Sequence, residues 1–195
     1  MQSSTATRDR LVGEACSALG DVGLAGLTVL RVARRAGVSA ALVFYHFESK
    51  DRLLLAAAVR LAPARWRERL AALDQRGGLD SLDALWGGIA STVASGRERA
   101  YAELLLHAAV DEQVAAVLAE QRAAEVAAIA ARAPSLLLEL GAQLTIGADE
   151  FATLLAATLD GLGALLLAGS PSAAVRAAYD AFWLTTLAAG QTPRR

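Results

Sequence analysis

The amino-acid sequence predicts an all-α protein of about nine helices, in which three short helices near the N-terminus precede a longer helical region. Alanine and leucine are the most frequent of the 195 residues and only four are proline, so helix propensity is high over most of the chain. No stretch alternates apolar and polar residues as a half-buried strand does. Glycines and prolines interrupt the helical pattern at the ends of the predicted segments.

The first two helices are predicted from apolar periodicity and from the residues that flank it. Apolar side chains recur at helical spacing over about residues 7–19, and Gly23 is placed to end that helix in a left-handed conformation. A second, short helix is predicted over about residues 29–36, with the Thr28 hydroxyl as its N-cap. The two segments are therefore expected to be separate helices.

A three-residue turn at residues 37–39 separates the second helix from a third, which is predicted over about residues 40–47. Gly37 can adopt a positive φ in such a turn, and the Ser39 hydroxyl can cap the helix that follows. The sequence therefore predicts two short helices joined by a tight turn.

The rest of the chain is predicted to be helical as well. A fourth helix covers about residues 50–73, and Pro63 is expected to bend it because the ring removes one backbone hydrogen bond. A break is expected at Pro134 for the same reason. The later helices are predicted over residues 81–95, 98–110, 112–132, 148–167 and 172–189.

The charge distribution and the single cysteine narrow the class of protein. Residues 1–60 carry eight basic and five acidic side chains, a charge of +3, which leaves −4 for the rest of a chain whose net charge is −1. That asymmetry favours nucleic-acid contact by the N-terminal region. One cysteine excludes an internal disulfide, and the N-terminus lacks the apolar segment of a signal peptide, so we expect a cytoplasmic protein. Residues 151–169 are nearly long enough to span a bilayer, but Asp160 at their centre argues against membrane insertion.

Residues 28–50, TVLRVARRAGVSAALVFYHFESK, have the pattern of a helix-turn-helix motif. Ala33 precedes Gly37 by four residues, and a small side chain is needed there because the second helix of the motif crosses over it. The third helix of the chain would then lie in the major groove of DNA, whose width admits one α-helix.

With its flanking residues, this segment resembles the TetR (TetR/AcrR) family of regulators. The resemblance covers about residues 7–58 and is carried by Gly23, Ala33-Gly37-Val38-Ser39, Phe44-Tyr45-His46-Phe47 and Ser49-Lys50. It implies a dimeric regulator with two domains. Residues 1–50 would be a three-helix helix-turn-helix DNA-binding domain, and residues 51–195 a helical ligand-binding and dimerisation domain.

The resemblance also implies which residues contact operator DNA: Thr28, Ser39, Ala40, Ala41, Tyr45, His46 and Lys50. Lys50 is the one lysine of the chain, and a compact ammonium suits a single phosphate oxygen. Many relatives have a basic or polar residue followed by Gly and Thr where this chain has Ala40, Ala41 and Leu42, and Phe44 lacks a hydroxyl common at its position. We therefore expect fewer hydrogen bonds to bases, with apolar contact to thymine methyl groups instead.

The last two long helices are apolar on more than one face, which predicts a four-helix homodimer interface. In the final helix the apolar stripe consists of Val175, Tyr179, Phe182, Trp183 and Thr186. A small-molecule pocket is expected in the C-terminal domain, with candidate residues Trp66, Trp86, Tyr101, Glu103 and His107. Glu103, His107 and Asp111 share one helical face, but such a set does not close a metal site, so neither metal nor cofactor is expected.

The predicted function is that of a transcriptional repressor that a small-molecule ligand releases from operator DNA, with the fourth helix carrying the signal. Two alternatives remain at this point. A ligand-independent DNA-binding regulator would have a C-terminal domain without a cavity. A helical enzyme is not expected, because the sequence offers no nucleophile elbow, glycine-rich phosphate loop or paired metal motif.

Overall fold

The computed structural model describes residues 2–75 and 77–191, with side chains for residues 4–71 and 77–191. Within these ranges the chain forms nine α-helices and no strand, so the all-α prediction is confirmed. The helices are α1 (Gln2–Gly26), α2 (Val29–Ala36), α3 (Ala40–Phe47), α4 (Lys50–Gln75), α5 (Leu79–Ala94), α6 (Arg97–Ala108), α7 (Glu112–Glu139), α8 (Ala148–Leu167) and α9 (Ser172–Gly190).

Helices α2 and α3 begin and end at the predicted residues because the turn between them is closed by local hydrogen bonds. Gly37 has φ 66° and ψ 35°, the left-handed conformation that its position predicts. Its N–H donates to the carbonyl of Arg34 at 3.2 Å, and the N–H of Val38 donates to the carbonyl of Ala33 at 3.0 Å. These two bonds satisfy carbonyls at the end of α2, so the predicted turn is confirmed.

Helix α1 is longer than predicted at both ends. Gly23 has φ 68° and ψ −177°, so the backbone leaves the helix there, but a further turn continues to Gly26. The N–H of Leu24, next to this break, donates to the carboxylate of Glu103 at 3.0 Å. Periodicity alone did not predict the added turn, because its partner lies 79 residues away in the sequence.

Helix α7 continues through Pro134, so the predicted break at this residue is wrong. The proline lies on the exposed face of the helix, whereas Ala133, Leu136 and Leu137 on the opposite face are at most 2% exposed. Burial of these side chains outweighs the loss of one backbone hydrogen bond, because burying a leucine contributes about 1.5–3 kcal/mol. Helix α4 likewise continues through Pro63.

The chain forms two compact units, each with its own core. The first unit consists of residues 1–65 and 94–121, and the second of residues 66–93 and 122–195. The predicted division into residues 1–50 and 51–195 is based on expected function, whereas these two units are defined by compactness. The two divisions differ because the beginning of α4, helix α6 and the beginning of α7 pack with α1–α3 in the first core.

Helix α8 belongs to the core of the second unit. By length and composition it is apolar enough to cross a membrane, the property that the sequence shows at residues 151–169. Its residues Phe151, Leu155 and Leu159 are at most 3% exposed and form part of that core. The carboxylate of Asp160 on the same helix binds the guanidinium groups of Arg69 and Arg122. These contacts are those of a core helix, since its charged residue has partners within the protein.

Candidate DNA interface and ligand cavity

The two N-cap hydroxyls of the helix-turn-helix motif lie at its surface. Thr28 Oγ1 accepts the N–H of Arg31 at 3.1 Å, and Ser39 Oγ accepts the N–H of Leu42 at 3.3 Å. Both residues are exposed. A hydroxyl that accepts a capping bond keeps its hydrogen as a donor. Each side chain can therefore cap its helix and donate to a phosphate oxygen.

Helix α3 presents an exposed aromatic face. Val43 and Phe47 are at most 3% exposed and anchor the helix in the core. On the other side, Tyr45 is 78% exposed and Phe44 is 50% exposed. Ala41 is exposed one turn before Tyr45, and Ala40, which precedes Phe44 by one turn, is half-buried. The outer face therefore consists of two small and two aromatic side chains at helical spacing.

His46 lies beside this face rather than on it. Its ring is half-buried and meets the ring of Tyr45 edge-on, with the centroids 5.3 Å apart. A neighbouring open depression of about 630 Å³ is lined in part by Arg8, Arg52 and Arg60 together with His46. Sequence reasoning did not single out these three arginines, because they come from two different helices, α1 and α4.

Lys50 is the first residue of α4, and its side chain is half-buried. Its Nζ donates to the carbonyl of Leu24 at 3.4 Å, so the ammonium stabilises the end of α1. An ammonium has three N–H donors, which leaves two for a phosphate oxygen. The structure thus gives Lys50 a role within the protein that its sequence position did not predict.

The chain turns sharply between α3 and α4. Glu48 has φ 63° and ψ −41°, and the N–H of Ser49 donates to the carbonyl of Phe47 at 2.6 Å. This is a γ-turn with positive φ, a strained conformation for any residue other than glycine. Among the described residues Glu48 is the one non-glycine with positive φ. Glutamate carries no sequence signal for this geometry, so it could not be predicted.

The arginines of α2 differ in their availability. Arg35 pairs with Glu14 at 2.9 Å and with Asp21 at 2.6 Å, and these hydrogen bonds raise the pKa of its guanidinium. Arg31 and Arg34 are exposed, and neither has an ion-pair partner in the described part of the chain. Of the three, Arg31 and Arg34 are therefore the ones free to bind a phosphate.

The second unit contains an apolar cavity of about 320 Å³. Helices α4, α7 and α8 supply its walls. The lining residues are Trp66, Arg67, Leu70, Ala71, Ala128, Ile129, Arg132, Ala133, Leu136, Phe151 and Leu155. The volume falls at the lower end of the range of about 300–1,000 Å³ that is typical of small-molecule sites.

Two of the five predicted ligand residues belong to the second unit, and only Trp66 lines this cavity. The Nε1 atom of Trp66 is buried and has no hydrogen-bond acceptor among the described residues. Trp86 instead packs on Tyr179, with ring centroids 5.5 Å apart, in the core of the unit. Its large side chain fills volume rather than enclosing a void.

The other three predicted ligand residues belong to the first unit, where each has a structural role. Tyr101 is 5% exposed in the core and lies under the guanidinium of Arg65. Glu103 accepts the N–H of Leu24, and His107 lies 3.3 Å from the carboxylate of Asp111.

Asp111 in turn caps helix α7. Its carboxylate accepts the N–H groups of Val114 and Gln113, and these bonds, chiefly the one from Val114, lower its pKa. The described side chains contain no cluster of three or more metal-ligating residues.

Known proteins resemble this chain first in its N-terminal region. Residues 11–57 match the family described as bacterial regulatory proteins, tetR family. Over 47 residues the chain is 47% identical to the HTH-type transcriptional regulator BetI 2 of Chromohalobacter salexigens. That stretch is 24% of this chain and 23% of the BetI 2 regulator, so the chain matches less than a quarter of that relative's length.

Solved structures extend the likeness to the fold. A transcriptional regulator of the TetR family from Agrobacterium tumefaciens is similar with a TM-score of 0.77 and 16% identity, over 97% of this chain and 100% of that one. A protein from Saccharomonospora viridis, solved in complex with choline, is similar with a TM-score of 0.76 and 22% identity, over 91% and 95% of the two chains. At such identities the likeness concerns the fold alone.

Proposed function

Because residues 11–57 match the tetR family of bacterial regulatory proteins, we propose that this chain is a homodimeric transcriptional repressor of that family, which a small molecule releases from operator DNA. The observation that carries the proposal is the exposed face of α3, with a tyrosine that is 78% exposed beside the two capped helix ends. Residues 1–50 would bind DNA in the cytoplasm, and residues 51–195 would bind the ligand and form the dimer.

Helix α3 has the dimensions of a recognition helix. An α-helix with its side chains is about 10–12 Å across, close to the width of the major groove, and the eight residues of α3 extend for about 12 Å. The outer residues Ala40, Ala41, Phe44 and Tyr45 include no charged side chain, so thymine methyl groups are the base features that they suit best. Thr28, Ser39, His46 and Lys50 flank this face and are the proposed phosphate contacts.

The dimer would form through exposed faces of α8 and α9. Small side chains line these faces, together with Leu154, Leu165 and Leu184, which are 51%, 46% and 68% exposed. The small residues are Ala157, Gly161 and Ala164 on α8, and Ala177, Ala178, Ala181 and Ala188 on α9. Small residues allow two helices to approach closely, so each face suits a second copy of the chain.

The apolar stripe that the sequence suggested for this interface lies elsewhere. Val175, Tyr179 and Trp183 are at most 3% exposed and belong to the core of the second unit. Helical periodicity shows that a helix has more than one apolar face, but it does not show which face packs within the same chain. The proposed interface therefore uses the alanine-rich side of α9 and not its aromatic side.

Ligand control is supported by the cavity, which a ligand-independent regulator would not need. The choline complex of the Saccharomonospora viridis protein supports small-molecule binding by this fold. Helix α4 contributes Lys50 to the first unit and Trp66 to the second, and is the element that we expect to carry the signal. The enzyme alternative is not supported, because the matched family, BetI 2 and the Agrobacterium tumefaciens protein are all described as regulators.

The proposal is tested by measuring how tightly the protein binds DNA duplexes that have been selected for affinity to it. A random duplex pool is enriched on the protein, and fluorescence anisotropy then measures the affinity for enriched and random DNA. Tyr45→Ala should weaken binding of the enriched duplex more than that of random DNA. Lys50→Ala should weaken both and lower the salt slope by roughly one, as expected for the loss of one phosphate contact.

The matched control is Arg99→Ala, which removes a charge from an exposed residue of α6 in the first unit. Its affinity and salt slope should equal those of the parent protein. Circular dichroism verifies that the variants are folded, since Lys50 also binds the carbonyl of Leu24. Failure to enrich any duplex, or equal binding by Tyr45→Ala and the parent, would contradict the proposed interface.

A further inference from the structure

The walls of the cavity in the second unit are made of hydrocarbon. Leu70 of α4, Ile129 and Leu136 of α7, and Phe151 and Leu155 of α8 all line it. These residues come from three segments of the sequence, and their shared burial creates one continuous apolar surface. A ligand that occupies this volume must therefore have an apolar body.

The polar groups of the cavity are all hydrogen-bond donors or cations. Trp66 has an indole N–H, which can only donate, and this group is buried without an acceptor in the described part of the chain. Arg67 and Arg132 also line the cavity, whereas none of its lining residues is acidic. The cavity thus lacks the acceptor that its buried donor requires.

The two arginines differ in how far they are already engaged. Arg132 donates to Ser135 at 2.7 Å and lies 3.2 Å from the carboxylate of Glu139, so its charge is balanced locally. The guanidinium of Arg67 lies 5.2 Å from the centre of the Trp66 ring and has no ion-pair partner among the described residues. A positive charge therefore remains beside the unpartnered indole N–H.

We propose that this cavity binds a monocarboxylate with an apolar body. The hydrocarbon packs between α4, α7 and α8, the carboxylate accepts the indole N–H of Trp66, and the guanidinium of Arg67 balances its charge. An alkylammonium of the same length would place its charge beside the unbalanced guanidinium of Arg67, and no acidic residue lines the cavity to offset it. The inference rests on the proposed function only in taking this ligand to be the effector.

Titration calorimetry with three probes of equal chain length tests the chemical class. The probes are octanoate, octan-1-ol and octylammonium, each below its aggregation limit, with 4-phenylbutanoate added to distinguish an aryl from an alkyl body. Octanoate should bind once per chain and at least tenfold more tightly than octanol, and octylammonium should bind more weakly than octanol. Binding of octanol or octylammonium as tightly as octanoate, or no saturable binding of either carboxylate, would overturn the assignment.

Variants then locate the carboxylate. Arg67→Gln should abolish the tenfold preference for octanoate over octanol while leaving octanol binding unchanged, and Trp66→Phe should weaken octanoate binding several-fold. Arg99→Gln, a change of equal charge in the first unit, should alter neither affinity. If Arg67→Gln retained the full preference for octanoate over octanol, the role proposed for Arg67 would be overturned. Because Arg67 is exposed, this variant is expected to fold, and its thermal transition verifies that it does.

DNA binding separates this inference from the proposed function. Octanoate that binds as described but leaves operator affinity unchanged would support the ligand class and contradict its role as effector. Operator binding by a protein that fails to bind either carboxylate would leave the regulator in place and overturn the ligand class.

Discussion

The two compact units carry their candidate sites in different physical forms. In the first unit the site is a surface, built from two short helices whose ends are closed by neighbouring residues. In the second unit the site is a void, lined by segments that are as much as 89 residues apart, from Trp66 to Leu155. A surface site depends on backbone conformation at a few positions, whereas a void depends on how much side-chain volume three helices leave unfilled.

The largest expected effect is a loss of stability, and it distinguishes the buried side of α9 from its exposed side. Trp183 is 3% exposed and meets Phe151 and Phe182, with ring centroids 6.5 and 5.4 Å apart, so Trp183→Glu would bury a charge and lose aromatic packing. The cost should be at least about 3–5 kcal/mol, enough to unfold the second unit. A melting temperature within a few degrees of the parent would contradict this placement of Trp183.

The neighbouring residue Leu184 provides the contrasting case, because it is 68% exposed. Leu184→Glu should retain the thermal transition of a folded protein, yet weaken the proposed dimer at least tenfold, or about 1.4 kcal/mol. Sedimentation velocity over a range of concentrations measures the change. An unchanged dimer would move the interface away from the exposed side of α9.

The next largest loss of stability is expected from breaking a buried ion pair in the first unit. The guanidinium of Arg65 donates to the carboxylate of Glu98 at 2.9 and 2.7 Å, and neither side chain is more than 5% exposed. Arg65→Met should cost about 3–5 kcal/mol, because the carboxylate loses both bonds while staying buried. In Arg65→Met/Glu98→Leu the loss should be smaller than in Arg65→Met. Urea unfolding at neutral pH measures both, and equal losses would contradict the unpaired carboxylate of Glu98 as the cause of the destabilisation.

Two glycines of the first unit allow the cost of backbone strain to be compared with the cost of steric overlap. Both have positive φ, 68° at Gly23 and 66° at Gly37. A Cβ at Gly37 would meet no atom within 4 Å, whereas one at Gly23 would lie 2.5 Å from the carboxylate of Glu103. Gly37→Ala should therefore destabilise by about 1 kcal/mol and Gly23→Ala by about 2 kcal/mol or more. Equal losses in urea unfolding would mean that Glu103 moves aside freely.

The smallest expected effect is a gain in stability. Glu48→Gly removes the strain of positive φ at a non-glycine residue and should stabilise the protein by about 0.5–1 kcal/mol after the backbone entropy of glycine is counted. The melting temperature should rise by about 1–4 °C for a chain of this size. The control is Glu120→Gly on the exposed face of α7, which should lower it, because glycine weakens a helix interior. A fall in both variants would indicate that the γ-turn is not strained.

The accuracy of the sequence-based predictions follows the same contrast between local and long-range interactions. The limits of α2 and α3 and the conformation of Gly37 were predictable because the hydrogen bonds that set them join residues no more than five apart. The extra turn of α1 was not, because Glu103 stabilises it from another helix. Local chemistry can be derived from a short stretch of sequence, but packing between distant segments cannot.

A pocket in the C-terminal domain was expected from the sequence, but apart from Trp66 its lining residues were not, for a related reason. Large amphipathic residues were the predicted lining, and of these Trp66 lines the void whereas Trp86 and Tyr101 fill cores. Small residues, Ala128 and Ala133 among them, contribute part of its wall. A void forms where side-chain volume is absent, and no single residue type in a sequence marks that absence.

The proline of α7 has a consequence for the rate at which the cavity fills. Pro134 has no N–H to donate to the carbonyl of Ala130, so the helical turn that contains the lining residues Arg132 and Ala133 is one hydrogen bond short. Such a turn opens locally at a lower free energy than its neighbours do, and its amides should exchange with deuterated solvent ahead of the rest of α7. If local opening of this wall eases ligand entry, Pro134→Ala should slow association more than it alters the equilibrium constant.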